Sequence, residues 1–541
     1  MERYFSRILV LLAAASLVPR LVLGAVMPIG FDGWWHLFVS TQDNWLMFFL
    51  EWRGVAHPPI LSLLLRFLAL FGHSPLLLRS AGILSGAATS IVVGLIGAKI
   101  YRHKVTALLA AAAYSFAWNI IEMNCDLRGY PFALLFLTAA FYYWLDWYAE
   151  PANTRSMLLF SAASCLAMLS EFYVLFLLAG CFGMQVLRSG SDSAYRQEVV
   201  GAAKANWKLW IASLAAPFLI FAGSQAVQMH LEPAGFPYLH PYLWLPQVHA
   251  DLYWFLLANL GREIGYFAPF GVDSGVILPL VFFVAIPVYA YFFIARKDLT
   301  RGVPALAPVL MVPLLLAQII VLSLLRKFPF GGLFRQQSIL APFVFLSAFL
   351  LLDLLVGFWK GATARNVLFA LAGLLVAGSF ATGWAAYPWG AAEPRSAEYK
   401  RFRQLFPTSD SVYADQASAI YYFGETHRAK WSFVSRILVD EQRVVEYRID
   451  DGSGHPVRLF RNKNQPWTDL ANPNTYRVLA DTLRVQHLKS AQLYFVGLNW
   501  DEAAKTVLEE RMRTLSPQAG LDIGLHEVGT TYAFAEFKLR D

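Results

Sequence analysis

Charge is scarce in this sequence. Only 15% of its 541 residues are Asp, Glu, Lys or Arg, against 57% hydrophobic, and the mean hydropathy is +0.47. A soluble chain cannot bury that much apolar surface, so part of it must face lipid. Cysteine is nearly absent. Cys125, Cys165 and Cys181 lie in or near apolar runs, and none has metal-ligand spacing. That excludes a disulfide framework and a thiolate zinc site. No internal repeat of the kind common in transporters is present. The first 26 residues carry the basic head of a signal peptide but lack a small-x-small cleavage site, so they read as a retained helix. The formal charge of +7 comes from Lys and Arg clustered in short loops between apolar runs. This is the pattern of cytoplasmic loops and not of a nucleic-acid surface.

What is present is a series of apolar runs. A helix needs about 20 apolar residues to cross a bilayer. Such runs occur at 8–27, 76–98, 105–122, 131–148, 208–227, 273–294, 304–325, 338–358 and 365–387. Segment 58–71 is short and carries Arg66, and segment 156–187 is too long for one simple span. Placing the basic loops at 99–104, 188–208, 296–301 and 360–365 and the N-terminus inside resolves both. Segment 156–187 becomes a hairpin with its tip outside near Glu171, and 58–71 becomes a juxtamembrane helix that does not cross. The expected architecture is a polytopic α-helical membrane domain, 1–388, with eleven transmembrane helices plus juxtamembrane helices.

Beyond residue 388 the composition turns mixed. Residues 411–415 alternate like a strand, 443–461 read as a hairpin turning at Asp451-Gly452, and 491–498 read as a buried strand. A helix over 500–514 follows Asn499, with Glu502 completing a capping box. Residues 389–541 are therefore expected to form a soluble α/β domain, and the topology puts it outside.

With sides assigned, scattered polar residues fall on the outer face. Asp32 and His36 open the first outer loop and His57, in "HPP", ends it. The second loop holds Glu122, Asp126, Arg128 and Tyr130, and the third holds Glu171. The long fourth loop, 228–270, includes His230, Glu232, His240, His249, Asp251, Arg262 and Glu263. The fifth, with Arg326, Lys327 and Arg335, is basic against the topological bias, which suggests an anionic ligand. Each residue also has an ordinary reading. Asp32 can be a helix-end carboxylate, His57 can shape a turn, and Arg128 and Arg335 can snorkel to headgroups. Arg20, within the first helix, is either functional or a buried structural partner. Tryptophans 34, 35, 45 and 52 read as interfacial anchors of an amphipathic helix.

Taken together, Asp32, His57-Pro58-Pro59, Asp126-Leu127-Arg128-Gly129-Tyr130 and "FPFGGLFRQQSILAPF" at 328–343 resemble motifs of the GT-C superfamily of membrane glycosyltransferases. More narrowly, the arrangement looks like the bacterial relatives of protein O-mannosyltransferases and of the lipid A aminoarabinose transferase. There are departures. Gly33 stands where many relatives carry a second carboxylate, Asp126 stands where Glu is frequent, and Asn124 stands at a Ser position.

The resemblance implies a hexosyl or pentosyl transferase of the cytoplasmic (inner) membrane, working at its outer, periplasmic face among membrane lipids. Its donor would be a sugar on a polyprenyl phosphate, and its acceptor a hydroxyl of lipid, glycan or protein. Asp32 is the expected base, with Asp126 or Glu171 sharing that work. Arg128 and Arg335 are expected to bracket the leaving phosphate, and His36, His57 and Tyr130 to line the substrate. One such displacement inverts the anomeric centre. A monophosphate leaving group can be neutralised by these cations, so no cofactor is expected and a divalent metal is not favoured. The alternatives are a non-catalytic carrier or flippase, and a degenerate binder of lipid-linked saccharide.

The topology is open to a direct measurement. A cysteine placed at Ser193 should resist external labelling, and one at Ser274 should accept it. The reverse at either position would refute the eleven-helix arrangement.

Overall fold

Ser74 starts one of the long membrane helices. Its hydroxyl accepts from Leu77 N, and Pro75 follows at the first helical position, where its missing N–H costs nothing. The helix then runs 26 residues, Pro75–Ile100. In the computed structural model the described residues are all except 1, 28, 43, 54, 56, 229–240, 247, 250, 267–298, 333, 360, 390–411, 416–429, 440–441, 451–456, 461–472, 486, 497–501, 529–531 and 541. The chain divides into two compact units. One comprises Met1–Met27, Ala56–Leu61 and Ser74–Pro388, and the other Pro28–Val55, Ser62–His73 and Trp389–Asp541.

The first unit is a helical membrane body. Its helices are α1 (Glu2–Val26), α5 (Pro75–Ile100), α6 (Lys104–Phe116), α7 (Trp118–Cys125), α8 (Tyr130–Ala149), α9 (Thr154–Met168), α10 (Val174–Ser191), α11 (Ser193–Ala205), α12 (Trp207–Val227) and α13 (Leu252–Gly265), then α14 (Leu299–Leu324), α15 (Ala341–Phe358) and α16 (Ala362–Ala386). Among the described residues seven helices are long and apolar enough to cross a membrane, and α6 with α7, bent by 53°, make an eighth if the pair is one broken span. This is a multi-pass membrane protein. Segment 156–187 does form two helices, α9 and α10, with Glu171 in the turn between them. The expected span at 273–294 lies outside the described residues. α16 has no buried residue, as a helix bathed in lipid would not. The basic stretch 188–208, expected as a loop, carries α11, capped by Asp192 accepting from Tyr195 N.

The core is built on α8, whose Phe141, Trp144 and Trp147 are fully buried. Away from α8, one carboxylate ties two helices together. Asp353 of α15 accepts from the backbone N–H groups of Arg102 (2.8 Å) and His103 (3.1 Å), from His103 Nδ1 (3.0 Å) and from Thr106 Oγ1 (2.9 Å). It thus caps α6 from another helix, while Tyr101 donates its hydroxyl to Leu346 O at 2.6 Å.

The second unit contains α2 (Phe31–Ser40), α3 (Trp45–Trp52) and most of α4 (Ile60–Leu68). At 9 residues, α4 reaches only about 14 Å and cannot cross a bilayer. The Arg66 that interrupts its apolar face donates to Ser40 O (3.0 Å) and Gln42 O (2.6 Å). Its guanidinium also lies 4.7 Å over the Trp45 ring. The expectation of interfacial tryptophans is corrected here. Trp34, Trp35 and Trp52 are buried and only Trp45 is exposed, because the loop folds into short helices that pack their aromatic faces inward.

The C-terminal part of this unit is a seven-stranded sheet of order β2-β3-β4-β1-β5-β7-β6. Its strands are β1 (Val412–Asp415), β2 (Lys430–Val439), β3 (Gln442–Asp450), β4 (Val457–Phe460), β5 (Ser490–Val496), β6 (Leu521–Val528) and β7 (Tyr532–Leu539). β1 is parallel to β4 and to β5, and the remaining pairs are antiparallel. Two helices accompany it, α17 (Pro473–Val485) and α18 (Glu502–Leu515). α17 contributes Tyr476, Leu479 and Leu483 to a core shared with Ala491, Ala535 and Phe537. The strand expected at 411–415 is β1, the arms of the expected hairpin are β3 and β4 with the turn at Asp451-Gly452 outside the described residues, and 491–498 begins as β5. Asn499, the expected cap, lies outside the described residues.

Removing the Asp353 carboxylate would strand buried donors, each worth about 1–3 kcal/mol. Asp353→Ala should therefore lower the thermal unfolding midpoint in detergent, and Asp353→Asn should lower it less. An unchanged midpoint in both would show that α6 does not depend on this cap.

Candidate active site

Six of the expected site residues come together in the first unit. The turn between α9 and α10 presents Glu171, buried, with its carboxylate against His57. Nδ1 of His57 lies 2.9 Å from Oε1 and 3.1 Å from Oε2. The His-Pro-Pro segment is seated there by backbone bonds: Ile60 N donates to Leu169 O (3.2 Å), and Gln228 Nε2 donates to His57 O (2.6 Å). Burial alone would lower the His57 pKa, but the charge and hydrogen bond of Glu171 outweigh it and leave the pKa raised.

The loop between α7 and α8 brings in the other acid. Arg128 Nε donates to Asp126 Oδ2 at 3.1 Å, and Arg128 N donates to Asp126 O at 3.0 Å. Burial raises the Asp126 pKa, opposed by the charges of Arg335, Arg79 and His57 and by the Leu127 backbone. Gly129 is required by space. A Cβ there would lie 2.5 Å from Ser170 O and 2.9 Å from Glu171 Oε1. The two acid-bearing loops therefore touch at a residue with no side chain.

Tyr130 bridges the parts. Its ring meets His57 edge-on at 5.9 Å and stacks on Tyr173 at 6.1 Å. The Tyr173 hydroxyl lies 3.4 Å from Ser338 Oγ, which donates to Arg335 O at 2.8 Å. Arg335 stands on the single turn Phe334–Gln337 that precedes α15, and its charge acts on both Asp126 and His57. The site thus joins two carboxylates, two guanidinium groups, an imidazole and two tyrosines, drawn from four stretches remote in sequence. Such a group can bind an anion, hold a proton and balance a charge that grows during reaction.

Asp32 and His36 belong to the second unit. Asp32 occupies the first turn of α2, where a carboxylate is favoured by the helix dipole. His36, four residues on, is buried with Nδ1 3.3 Å from Ser62 Oγ. Arg20 is fully buried and donates Nη1 to its own helix, at Ser16 O (2.8 Å). His249 packs against Trp244 and Phe255, while His230, Glu232 and His240 lie outside the described residues. Among the described residues no three His, Cys, Asp or Glu side chains gather as metal ligands.

Sequence reasoning missed Tyr173, Ser338 and Arg79. Arg79 is buried in α5 and donates Nη1 to Gly24 O at 2.8 Å. Its charge inside an apolar run was a legible signal, whereas nothing local marks Tyr173 or Ser338.

The pairing of His57 with Glu171 has a measurable sign. A histidine whose pKa is raised on folding adds stability that is complete below its unfolded value, and loses it as pH rises through the folded one. NMR of labelled histidine should place His57 above 6.5 in the native protein, and Glu171→Gln should bring it down. A His57 titration indifferent to Glu171→Gln would dismiss the pair as electrostatically idle.

The fold is similar to that of ArnT from Cupriavidus metallidurans in the apo state, with TM-score 0.52, 13% identity and 97% of each chain covered. ArnT from the same organism bound to undecaprenyl phosphate gives 0.49, 12% identity and 97% of each chain. An Archaeoglobus fulgidus oligosaccharyltransferase in complex with Zn and sulfate gives 0.44 and 14% identity, over 78% of this chain and 61% of that one. The fold assignment rests on the first of these. No family model and no curated protein matches the sequence. The chain shares the fold of ArnT over nearly its whole length.

Proposed function

We propose that this protein is an inverting membrane glycosyltransferase. It moves a sugar from a polyprenyl phosphate to an acceptor hydroxyl at the outer face of the cytoplasmic membrane. The observation that carries the reading is the convergence of Arg128 and Arg335 with two carboxylates on loops that the positive-inside rule places on one side. In this reading eleven helices cross the membrane, and the C-terminal sheet with its helices is a soluble domain outside it. The donor class follows from the motif resemblance within a GT-C fold.

The chemistry assigns each residue a task. As the bond from the anomeric carbon to the phosphate oxygen breaks, negative charge grows on the phosphate. Arg128 and Arg335 stabilise it with forked donors, in surroundings drier than water. Asp126 holds the Arg128 guanidinium in place through the 3.1 Å contact. Glu171 accepts from the His57 imidazole and raises its hold on a proton, which lets His57 add positive charge near the leaving group. Tyr130, stacked on Tyr173, offers a wall for the sugar. The acceptor hydroxyl must lose its proton as it attacks, and Asp32 takes it. One observation favours a second candidate for the base. Burial raises the Asp126 pKa, which strengthens it as a proton acceptor.

Asp32→Asn keeps shape and removes basicity. Turnover of a polyprenyl-phosphate sugar in proteoliposomes should fall about 10²–10⁴-fold while donor binding changes little. Near-normal turnover would move the base's role to Asp126 or Glu171. No turnover by the native protein, with donor binding intact, would favour a carrier or a degenerate binder.

Arg335 separates charge from geometry. Lys keeps the charge but loses the paired donors, so Arg335→Lys should lower the maximal rate by about 1–3 kcal/mol of barrier. The same change at Arg301 should be silent. Equal activities for the two variants would leave Arg335 as a headgroup anchor.

A further inference from the structure

Arg335 can serve the phosphate only if the turn before it holds one shape. That turn is "PFGG", and it contains a residue that must be glycine. Gly331 has φ +68°, and a Cβ there would lie 2.7 Å from the Asn259 side chain and 2.8 Å from Asn259 Cα. The backbone at 331 therefore presses directly against α13. A turn built on glycine has little stiffness of its own, so its shape comes from what grips it.

The grip comes from one face of α13. Glu263 Oε1 accepts the Gly331 N–H at 2.8 Å. One turn on, the Tyr266 hydroxyl donates to Gly332 O. One turn back, Asn259 donates to Pro241 O (3.3 Å) and to Phe255 O (3.1 Å), and accepts from Arg262 Nη1 (2.9 Å). On the far side of the turn, Gln337 Nε2 donates to Pro329 O at 2.7 Å. Gly331 N and Gly332 O are thus fixed by Glu263 of α13 and by Tyr266 just beyond its end.

Glu263 is the unusual member. It is 1% exposed, and its second oxygen has no hydrogen-bond partner among the described residues. Burial raises its pKa to about 8, against the opposing effect of the Gly331 hydrogen bond. At neutral pH it is therefore the neutral acid, accepting through its carbonyl oxygen. Burying an acid carries a desolvation cost, but an apolar residue here would leave the buried Gly331 N–H without its acceptor. What the acid supplies is a rigid acceptor for one N–H, four residues before Arg335.

We propose that Glu263 is a positioning residue for Arg335. By fixing the Gly331 N–H it sets the turn that aims the guanidinium at the phosphate of the lipid donor. This rests on the reading of Arg335 as the phosphate-binding cation, and it makes the fourth loop's helix part of the donor site's support. Glu263 itself touches no substrate.

The test is a double-mutant cycle in the full-length protein reconstituted in proteoliposomes, with a polyprenyl-phosphate sugar as substrate. Glu263→Ala should lower kcat about 10–30-fold with KM for the lipid nearly unchanged, because the lost contact is one made in the transition state. Glu263→Gln, an isostere of the neutral acid, should recover most of that loss. In an Arg335→Ala background, Glu263→Ala should cost less than about twofold, since residues acting through one another do not add. The same cost in both backgrounds, or a Gln variant as poor as Ala, would overturn the proposal.

Hydrogen–deuterium exchange gives a readout independent of turnover. Segment 329–337 should lose protection in Glu263→Ala and keep it in Glu263→Gln, with the rest of the chain unchanged. Unaltered exchange in the Ala variant overturns the positioning role whether or not the native protein transfers sugar. If the native protein does not transfer sugar while exchange behaves as expected, the transferase reading fails. The cycle is then read in binding of undecaprenyl phosphate, where additive losses overturn the link to Arg335.

Discussion

A carboxylate at the end of an apolar helix bundle must find its counter-charge within the protein, because desolvation there outweighs any isolated charge. The contact between His57 and Glu171, 2.9 Å across 114 residues of sequence, meets that demand. Much of the site follows from it. Glu171 can sit in the α9–α10 turn only if something cationic faces it, and His57 reaches it because Ile60 N and Leu169 O join the two segments. Gly129 lets the second acid-bearing loop close over the same carboxylate. Asp126 and Arg128 then balance each other on that loop. Each pair leaves little net charge, and Arg335 is set against both.

Rigidity in this arrangement comes from side chains that reach backbone atoms, not from the loops themselves. Gln228 holds His57 O, Ser338 holds Arg335 O and Glu263 holds Gly331 N. Asp353 does the same for the α5–α6 connection. Loops so held keep functional groups in place while the helices carry the burden of the membrane. In a bilayer the helices satisfy their own backbone hydrogen bonds, so connections are where polar side chains find unmet donors and acceptors. This is why so few charged residues suffice.

Several elements were legible in the sequence for plain physical reasons. A run of about 20 apolar residues has few fates other than a span, which made α1, α5, α12 and α16 readable. The split of 156–187 into α9 and α10 followed from length and from the bias of basic loops. Segment 58–71, too short and carrying Arg66, yields only the short α4. The division of the first outer loop into α2 and α3, and the helix α11, were not legible, since short helices in polar connections depend on caps such as Asn44 and Asp192 and carry no long apolar run. β2, β6 and β7 were missed too, because a strand of a mixed sheet is defined by its neighbours more than by its own residues. The tryptophans misled for a similar reason: an aromatic side chain suits an interface and a core equally well.

By itself the sequence determined that this chain enters a membrane many times and where its long apolar helices fall. Those properties depend on local composition, and composition is what a sequence displays. Only the tertiary structure decided the pairing. That Glu171 meets His57, and that Tyr173 and Ser338 connect to Arg335, depend on how helices far apart in the chain pack. Such contacts are set within a few ångströms by side-chain volume and by glycines such as Gly129 and Gly331. No spacing along the chain encodes a distance of that kind.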